Sequence, residues 1–313
     1  MKTKISFVIP CYKSSETINL VVNEIDDLIK KVLSEYDYNI VLVNDGSPDN
    51  LDDVLTNIEK NHVKVKYISL SKNFGQHNAI MAGLNNATGD LIVCLDDDGQ
   101  TPVHEIPKLL DALNSNVDVV YARYNQKKHS IVRNFGSFIN DYMLNIMLDK
   151  PRELYISSFF VMKKYVKDEI IKYKNPYPYL GGLILRITNK IVNVDTIHNE
   201  RSVGDSTYTP KKLLKLWSNG LTNFSVKPLR LAILFSGIFI SFAAILVIIL
   251  VLNKINNPSI PIGWTSGIVI NLIIGSIITF MLGIIGEYLG RIYISINNIP
   301  QYVVKDCDLN EKN

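Results

Sequence analysis

Short apolar runs recur through the N-terminal part of the chain, at Ile5 to Ile9, Ile40 to Val43, Val63 to Leu70, Leu91 to Leu95 and Val117 to Tyr121. Each has the length of a strand, and the segments between them carry apolar residues at helical spacing. One such segment sets Ile18, Val21, Val22, Ile25, Leu28, Ile29 and Val32 on a single face. Alternating strand and helix predict an α/β fold with a mostly parallel sheet covered on both sides. Ligands of such sheets bind beyond the carboxyl ends of the strands, where the loops open a crevice.

Those ends are polar here. The first strand runs into Pro10, Cys11 and Tyr12, and the second into Asn44 and Asp45 of NDGSPD. The third runs into SKNFGQH, and the fourth into Asp96, Asp97 and Asp98. Adjacent carboxylates resist ionising beside one another, and a divalent cation relieves that repulsion. Solvation of an acidic turn relieves it too. Asp96, Asp98 and Gln100 alternate, so on an extended chain they share a side, and oxygen ligands in that pattern suit Mg2+ or Mn2+. No G-x-G-x-x-G follows the first strand and no G-x-x-x-x-G-K-[ST] occurs, so neither common phosphate-cradling loop is present. A cation bridging the protein to phosphate oxygens is the expected way to hold a nucleotide.

Further along the chain the pattern changes. Leu231 to Leu252 contains no charge, and neither does Ile262 to Gly286. Both runs exceed the roughly 20 residues that cross a bilayer core as a helix, and neither has the polar stripe of a soluble helix. Joined by Asn253 to Pro261, they predict a transmembrane hairpin. Lys211, Lys212, Lys215, Lys227 and Arg230 precede it and Arg291 follows, which places both termini in the cytoplasm. The start of the chain lacks a signal-peptide apolar region.

Two amphipathic segments stand outside the spans. Ser130 to Leu148 fits the membrane interface and the domain core equally well, whereas PKKLLKLWSNGLTNF, from Pro210, sets lysines and a tryptophan just ahead of a span. The net charge of +3 is too small to imply a nucleic-acid partner, and the basic residues beside the spans suit an anionic lipid surface. Cys11, Cys94 and Cys307 have no metal-ligand spacing, and the first two read as core residues.

The segments FVIPCYKSSETI, VLVNDGSPDN, SKNFGQHNAIMAGLNNATGDLIVCLDDDGQTPVHEIPKLL, ERSVGDSTYT and GIIGEYLGRIY together resemble glycosyltransferase family 2. Within it they resemble the polyprenyl-phosphate glycosyltransferases. The resemblance implies a GT-A nucleotide-sugar domain followed by a membrane hairpin. It implies that Pro10, Tyr12 and Asp45 line the nucleoside pocket. Asp96, Asp98 and Gln100 match the family's D-x-D-x-Q, with Asp98 and Gln100 foremost as metal ligands and Asp97 beside them at the nucleotide. Arg201 matches the Arg of R-x-x-G-x-S and contacts the donor phosphates, with Gly204 and Ser206 shaping its loop. Arg123 is a second phosphate contact. The implied partners are a nucleotide sugar, a polyprenyl phosphate and membrane lipid, and the implied assembly is a homotetramer.

Four positions depart from the family pattern. Lys13 and Ser14 replace the Asn and Glu that commonly follow the Tyr, and Thr207 replaces a Lys. An acceptor-side Asp is missing from ELYISSFFVMKK, where Glu153 is the nearest acid and the candidate catalytic substitute for it. The expected arrangement is a cytoplasmic GT-A domain over 1–208, an amphipathic juxtamembrane segment over 209–228, a hairpin over 229–290 with spans at about 229–252 and 262–286, and a cytoplasmic tail over 291–313. The expected function is inverting transfer of one sugar, from a UDP sugar, to undecaprenyl phosphate at the cytoplasmic face of the plasma membrane, for modification of cell-envelope glycans. A catalytically impaired scaffold and a polysaccharide synthase are the alternatives. The synthase usually carries Q-x-x-R-W and more spans, neither of which occurs here.

Overall fold

The computed structural model describes residues 2–124, 150–151, 153–197, 263–297 and 299–306, with a few helical positions between 241 and 256. All five predicted strands form. They are β1 (Lys4–Cys11), β2 (Asp37–Asn44), β3 (Val65–Leu70), β4 (Leu91–Cys94) and β5 (Val119–Tyr124). Between them lie α1 (Ile18–Lys31), α2 (Leu51–Asn61), α3 (Gln76–Asn86) and α4 (Ile106–Ala112). Then follow β6 (Phe160–Lys163), α5 (Lys164–Ile170), α6 (Leu180–Ile187), β7 (Ile191–Thr196), α7 (Trp264–Ile296) and β8 (Val304–Asp306).

The strands make one sheet in the order β7-β5-β6-β4-β1-β2-β3-β8. β4, β1, β2 and β3 are mutually parallel, and β5 is parallel to β7. β6 runs antiparallel between β4 and β5, and β8 runs antiparallel along β3. The fold is thus the expected α/β arrangement with a mostly parallel sheet. Alternation along each strand sorts the core into two layers. Ile5, Phe7, Ile9, Ile40 and Leu42 join the apolar faces of α1 and α2 on one side, while Val41, Val43, Ile68 and Leu70 meet α3 on the other. Full burial of such side chains is worth about 1.5–3 kcal/mol each. Gly83 lets α3 lie close on the sheet, since a Cβ there would come within 2.4 Å of Val8 Cγ1.

Two apolar positions depart from expectation. Val32 is 56 % exposed, because α1 ends at Lys31 and the chain turns away before the next helical repeat reaches the core. Val63 is 98 % exposed, because β3 pairing starts only at Val65. Chain contacts gather into two compact units, Met1–Leu216 with Asn298–Asn313, and Trp217–Asn297. Within the second, α7 is the helix among the described residues that is long and apolar enough to cross a membrane, over Ile273–Gly290. It extends ten residues past the expected end of the second span. Most of the first apolar run, the Ser130 to Leu148 segment and the segment from Pro210 lie outside the described residues.

Candidate active site

The site begins with strand order. β4, β1 and β2 are adjacent and parallel, so their carboxyl ends deliver the acidic triplet, Tyr12 and Asp45 to one rim. After β2 the chain turns at Gly46, whose φ of +60° favours glycine and whose close approach to Lys72 would bring a Cβ within 2.3 Å of that residue's carbonyl carbon. That approach draws the SKNFG loop over Asp45. The amides of Phe74 and Gly75 donate to the two Asp45 carboxylate oxygens at 2.7 and 2.9 Å. Asp45 therefore ties down the entry to α3. It is 3 % exposed, and burial pushes its pKa up to about 6 against the pull of those two hydrogen bonds.

The triplet is held mainly by neutral donors. Gln76 Nε2 donates to one Asp96 oxygen at 2.8 Å and the Ser158 hydroxyl donates to the other. The Tyr12 amide donates to Asp97 Oδ2 at 2.8 Å, and the Thr17 hydroxyl donates to the Asp97 carbonyl at 2.7 Å. Burial first, then the neighbouring acids, push Asp96 up to about 6. Asp97 also rises to about 6, chiefly by burial. Asp98 Oδ1 accepts the Gln100 amide at 3.0 Å in a tight local turn. The chain is therefore not extended from Asp96 to Gln100 as the alternating spacing assumed: it turns at Gly99, with φ of +72°, and it is the backbone amide of Gln100 that meets Asp98. Among the described residues no group of three His, Cys, Asp or Glu side chains is gathered as a metal cage. Mg2+ and its kin need none, since one or two carboxylates with substrate phosphates commonly suffice. The hard oxygens of Asp98 and Gln100 fit that pattern.

Beside Tyr12, Lys13 adopts a left-handed backbone with φ of 59°. Its amide donates to Ser47 Oγ at 2.8 Å, and its ammonium lies 5.8 Å from the Tyr12 ring centroid. Such a backbone is uncommon for a side chain of this size. The Asn that usually stands there tolerates it better, which accounts in backbone terms for the family preference.

The rim beyond β5 and β7 is built differently. Arg123 and Asp195 are direct cross-strand neighbours, and Arg123 Nε donates to Asp195 Oδ1 at 2.6 Å. Both are exposed. Glu153 is exposed as well, and its charge adds to that of Asp195 in holding the Arg123 proton. Pro10 lies in β1, buried beside Val43 of β2. Arg201, Gly204, Ser206 and Thr207 lie outside the described residues.

The sequence reading passed over Gln76 and Ser158. Gln76 belongs to the polar segment after the third strand and was available by the same rule that singled out the other strand ends. Ser158 carried no local signal, because its place beside Asp96 depends on β6 entering antiparallel to β4. His77 sits edge-on to Tyr179 with ring centroids 5.5 Å apart. Burial pushes its pKa down to about 4, so the ring is neutral at physiological pH.

The chain is similar to known proteins along nearly all of its length. The chain is 34% identical over 304 residues to the uncharacterized glycosyltransferase YkcC of Bacillus subtilis (strain 168), covering 96% of this chain and 93% of that one. It is 31% identical over 317 residues to the undecaprenyl-phosphate 4-deoxy-4-formamido-L-arabinose transferase of Proteus mirabilis (strain HI4320), again covering 96% and 93%. Among solved structures, glucosyl-3-phosphoglycerate synthase of Mycobacterium tuberculosis in complex with Mn2+, UDP-glucose and phosphoglyceric acid superposes with a TM-score of 0.52. That match has 16% identity and covers 69% of this chain and 78% of the other, a likeness of fold. Residues 6–171, the stretch that supplies Tyr12, Asp45, the acidic triplet and Ser158, match Glycosyl transferase family 2, and the chain belongs to that family.

Proposed function

We propose that the chain transfers one sugar from a nucleoside diphosphate sugar, a UDP sugar, to a polyprenyl phosphate at the cytoplasmic face of the plasma membrane, with inversion at the anomeric carbon. The observation that carries this reading is the extent of the likeness to the undecaprenyl-phosphate transferase. At 96% coverage of this chain, the match leaves out too little to exclude the apolar helix α7. The reading keeps the hairpin with both termini cytoplasmic, and it keeps a homotetramer.

Chemically, an oxygen of the lipid phosphate forms the new bond to the anomeric carbon while the bond from that carbon to the nucleoside diphosphate breaks, the electron pair leaving with the diphosphate. Attack opposite the leaving group inverts the centre. The second ionisation of a phosphomonoester lies near ~6, so the nucleophile is already largely anionic and needs little from a general base. The exposed Glu153 is consistent with a site that lacks a buried base on the acceptor side.

Asp98 and Gln100 would hold a divalent cation, which would supply positive charge where the leaving diphosphate develops negative charge. Asp96, fixed by Gln76 and Ser158, backs that pair and faces the donor. Pro10, Tyr12, Asp45 and Asp97 shape the nucleoside pocket, Asp45 by fixing the loop that closes it. Arg201 clamps the diphosphate with Ser206 in its loop, and Arg123, oriented by Asp195, offers its remaining donors to a phosphate.

The test is a mass spectrum of the lipid after purified protein in bilayers is given undecaprenyl phosphate, Mg2+ or Mn2+, and a panel of nucleotide sugars. The expected product is lipid phosphate carrying one sugar, with nucleoside diphosphate released in equal amount. Absence of any lipid product while nucleotide still binds would overturn the reading in favour of a scaffold.

A further inference from the structure

The loop KYKNPYPY, Lys172 to Tyr179, joins α5 to α6 and meets the rim where Tyr179 packs on His77. It concentrates three tyrosines, two prolines and two lysines in eight residues. Lys172, Lys174, Asn175 and Tyr177 are exposed, Tyr177 at 40 %. Tyrosine prefers a boundary between apolar matter and water, where its ring and hydroxyl are both satisfied. Lysines beside such tyrosines suit anionic headgroups.

The loop is also held by its backbone. Gln301 Nε2, in a side chain only 7 % exposed, donates to the carbonyls of Asn175 and Tyr173 at 2.9 and 3.5 Å. Gln301 follows Ile296, the last residue of α7, by five positions. The composition of the loop and its exposed lysines and tyrosine suit the boundary between water and lipid.

We propose that the loop from Lys172 to Tyr179 rests on the headgroup layer of an anionic bilayer, with its tyrosines at the apolar boundary and its lysines against lipid phosphates. The proposal rests on the reading of α7 as a membrane span. It adds a second membrane contact, which belongs to the catalytic unit itself. Because Tyr179 packs on His77, next to the Gln76 that holds Asp96, this contact sits one side chain away from the donor rim.

Single-tryptophan fluorescence in the full chain tests it. Both native tryptophans are replaced by Trp217→Phe and Trp264→Phe, and one new tryptophan is added as Tyr177→Trp, Val63→Trp or Ile278→Trp. Each protein is reconstituted in phosphatidylglycerol and phosphatidylethanolamine vesicles with acyl chains brominated near the headgroup, and its melting temperature is compared with that of the parent. Val63, 98 % exposed, reports water, and Ile278 reports the span. The expected result is quenching of Tyr177→Trp about twofold or more stronger than that of Val63→Trp, as for an interfacial aromatic. Adding Lys172→Glu with Lys174→Glu should reduce that quenching in anionic vesicles and leave it unchanged in phosphatidylcholine. If Ile278→Trp is quenched while Tyr177→Trp matches Val63→Trp, the loop proposal falls and the span stands. If Ile278→Trp is unquenched, both fall. Blue-shifted but unquenched emission from Tyr177→Trp means that protein covers the loop, in a second copy or elsewhere, and overturns the proposal too.

Discussion

The rim beyond β1, β2 and β4 and the rim beyond β5 and β7 handle charge in opposite ways. On the first, Asp45, Asp96 and Asp97 are held by amides, hydroxyls and a glutamine, and each is pushed up to about 6 by burial. On the second, the acid and the base answer each other, Asp195 with Arg123, in the open. Neutral donors fix a carboxylate in place without cancelling its charge, whereas an exposed ion pair cancels charge with little gain in stability. The first rim is therefore organised and electrically unsatisfied, which is the condition in which an arriving cation gains most.

The sharpest way to break that contrast is Asp98→Asn. Turnover should fall about a hundredfold or more, because charge stabilisation of the leaving group is lost. The rise in melting temperature that excess Mn2+ gives the parent, about 2.7 kcal/mol of stabilisation at a hundred times Kd, should disappear. A parent protein indifferent to Mg2+ and Mn2+ in a thermal melt would refute the electrical reading of the first rim.

Next is Asp45→Ala, which leaves the Phe74 and Gly75 amides without their acceptor. The expected loss is about 2 kcal/mol, or roughly 4–8 °C in melting temperature for a unit of this size. An unchanged melting temperature would mean that water replaces the carboxylate at no cost.

Asp45 also gives a pH test. Its folded carboxyl titrates near 6 and its unfolded one near 3.8. The folded state thus holds the proton longer, so stability from this group is full below about pH 4 and is lost as pH rises through 6. A shift of that size corresponds to about 2–3 kcal/mol. Compared with Asp45→Asn, the parent should lose ground steadily between pH 4 and pH 7, and a constant difference across that window would show that burial does not govern this group.

The smallest effect belongs to the other rim. Arg123→Met should leave the melting temperature within about 2 °C, because the pair with Asp195 is exposed. A larger loss would erase the distinction between the rims. If turnover falls while the melting temperature holds, the guanidinium is serving a phosphate.

The two rims were not equally legible. The first was read from strand ends because β1, β2 and β4 are parallel and adjacent, and consecutive βα units place their carboxyl ends together. Spacing drew notice to Asp98 and Gln100 but assumed an extended chain where the structure has a turn at Gly99. It did not show that Asp45 serves the loop before α3, since that depends on the turn at Gly46 bringing Phe74 and Gly75 within reach. The second rim was opaque because β6, Phe160–Lys163, is a four-residue strand inside an apolar stretch with no alternation. Its direction is set by pairing with β4 and β5, a non-local choice that local periodicity does not encode. Val63 and Val32 mark the same limit at element ends, where apolar character persists after the geometry that would bury it has stopped.

The antiparallel strand β8 has a consequence for how the protein is made. The β3 edge, Val65–Leu70, gains its neighbour from Val304–Asp306, and the Ser71 amide donates to the Val303 carbonyl at 2.8 Å. On the ribosome those partners are separated by about three quarters of the chain, so the edge stays open until α7 has been translated. Domains fold as they emerge, and unpaired strand edges are prone to wrong pairing in the meantime. A chain cut ahead of the apolar segments therefore loses more than its anchor. It carries a permanently open edge strand.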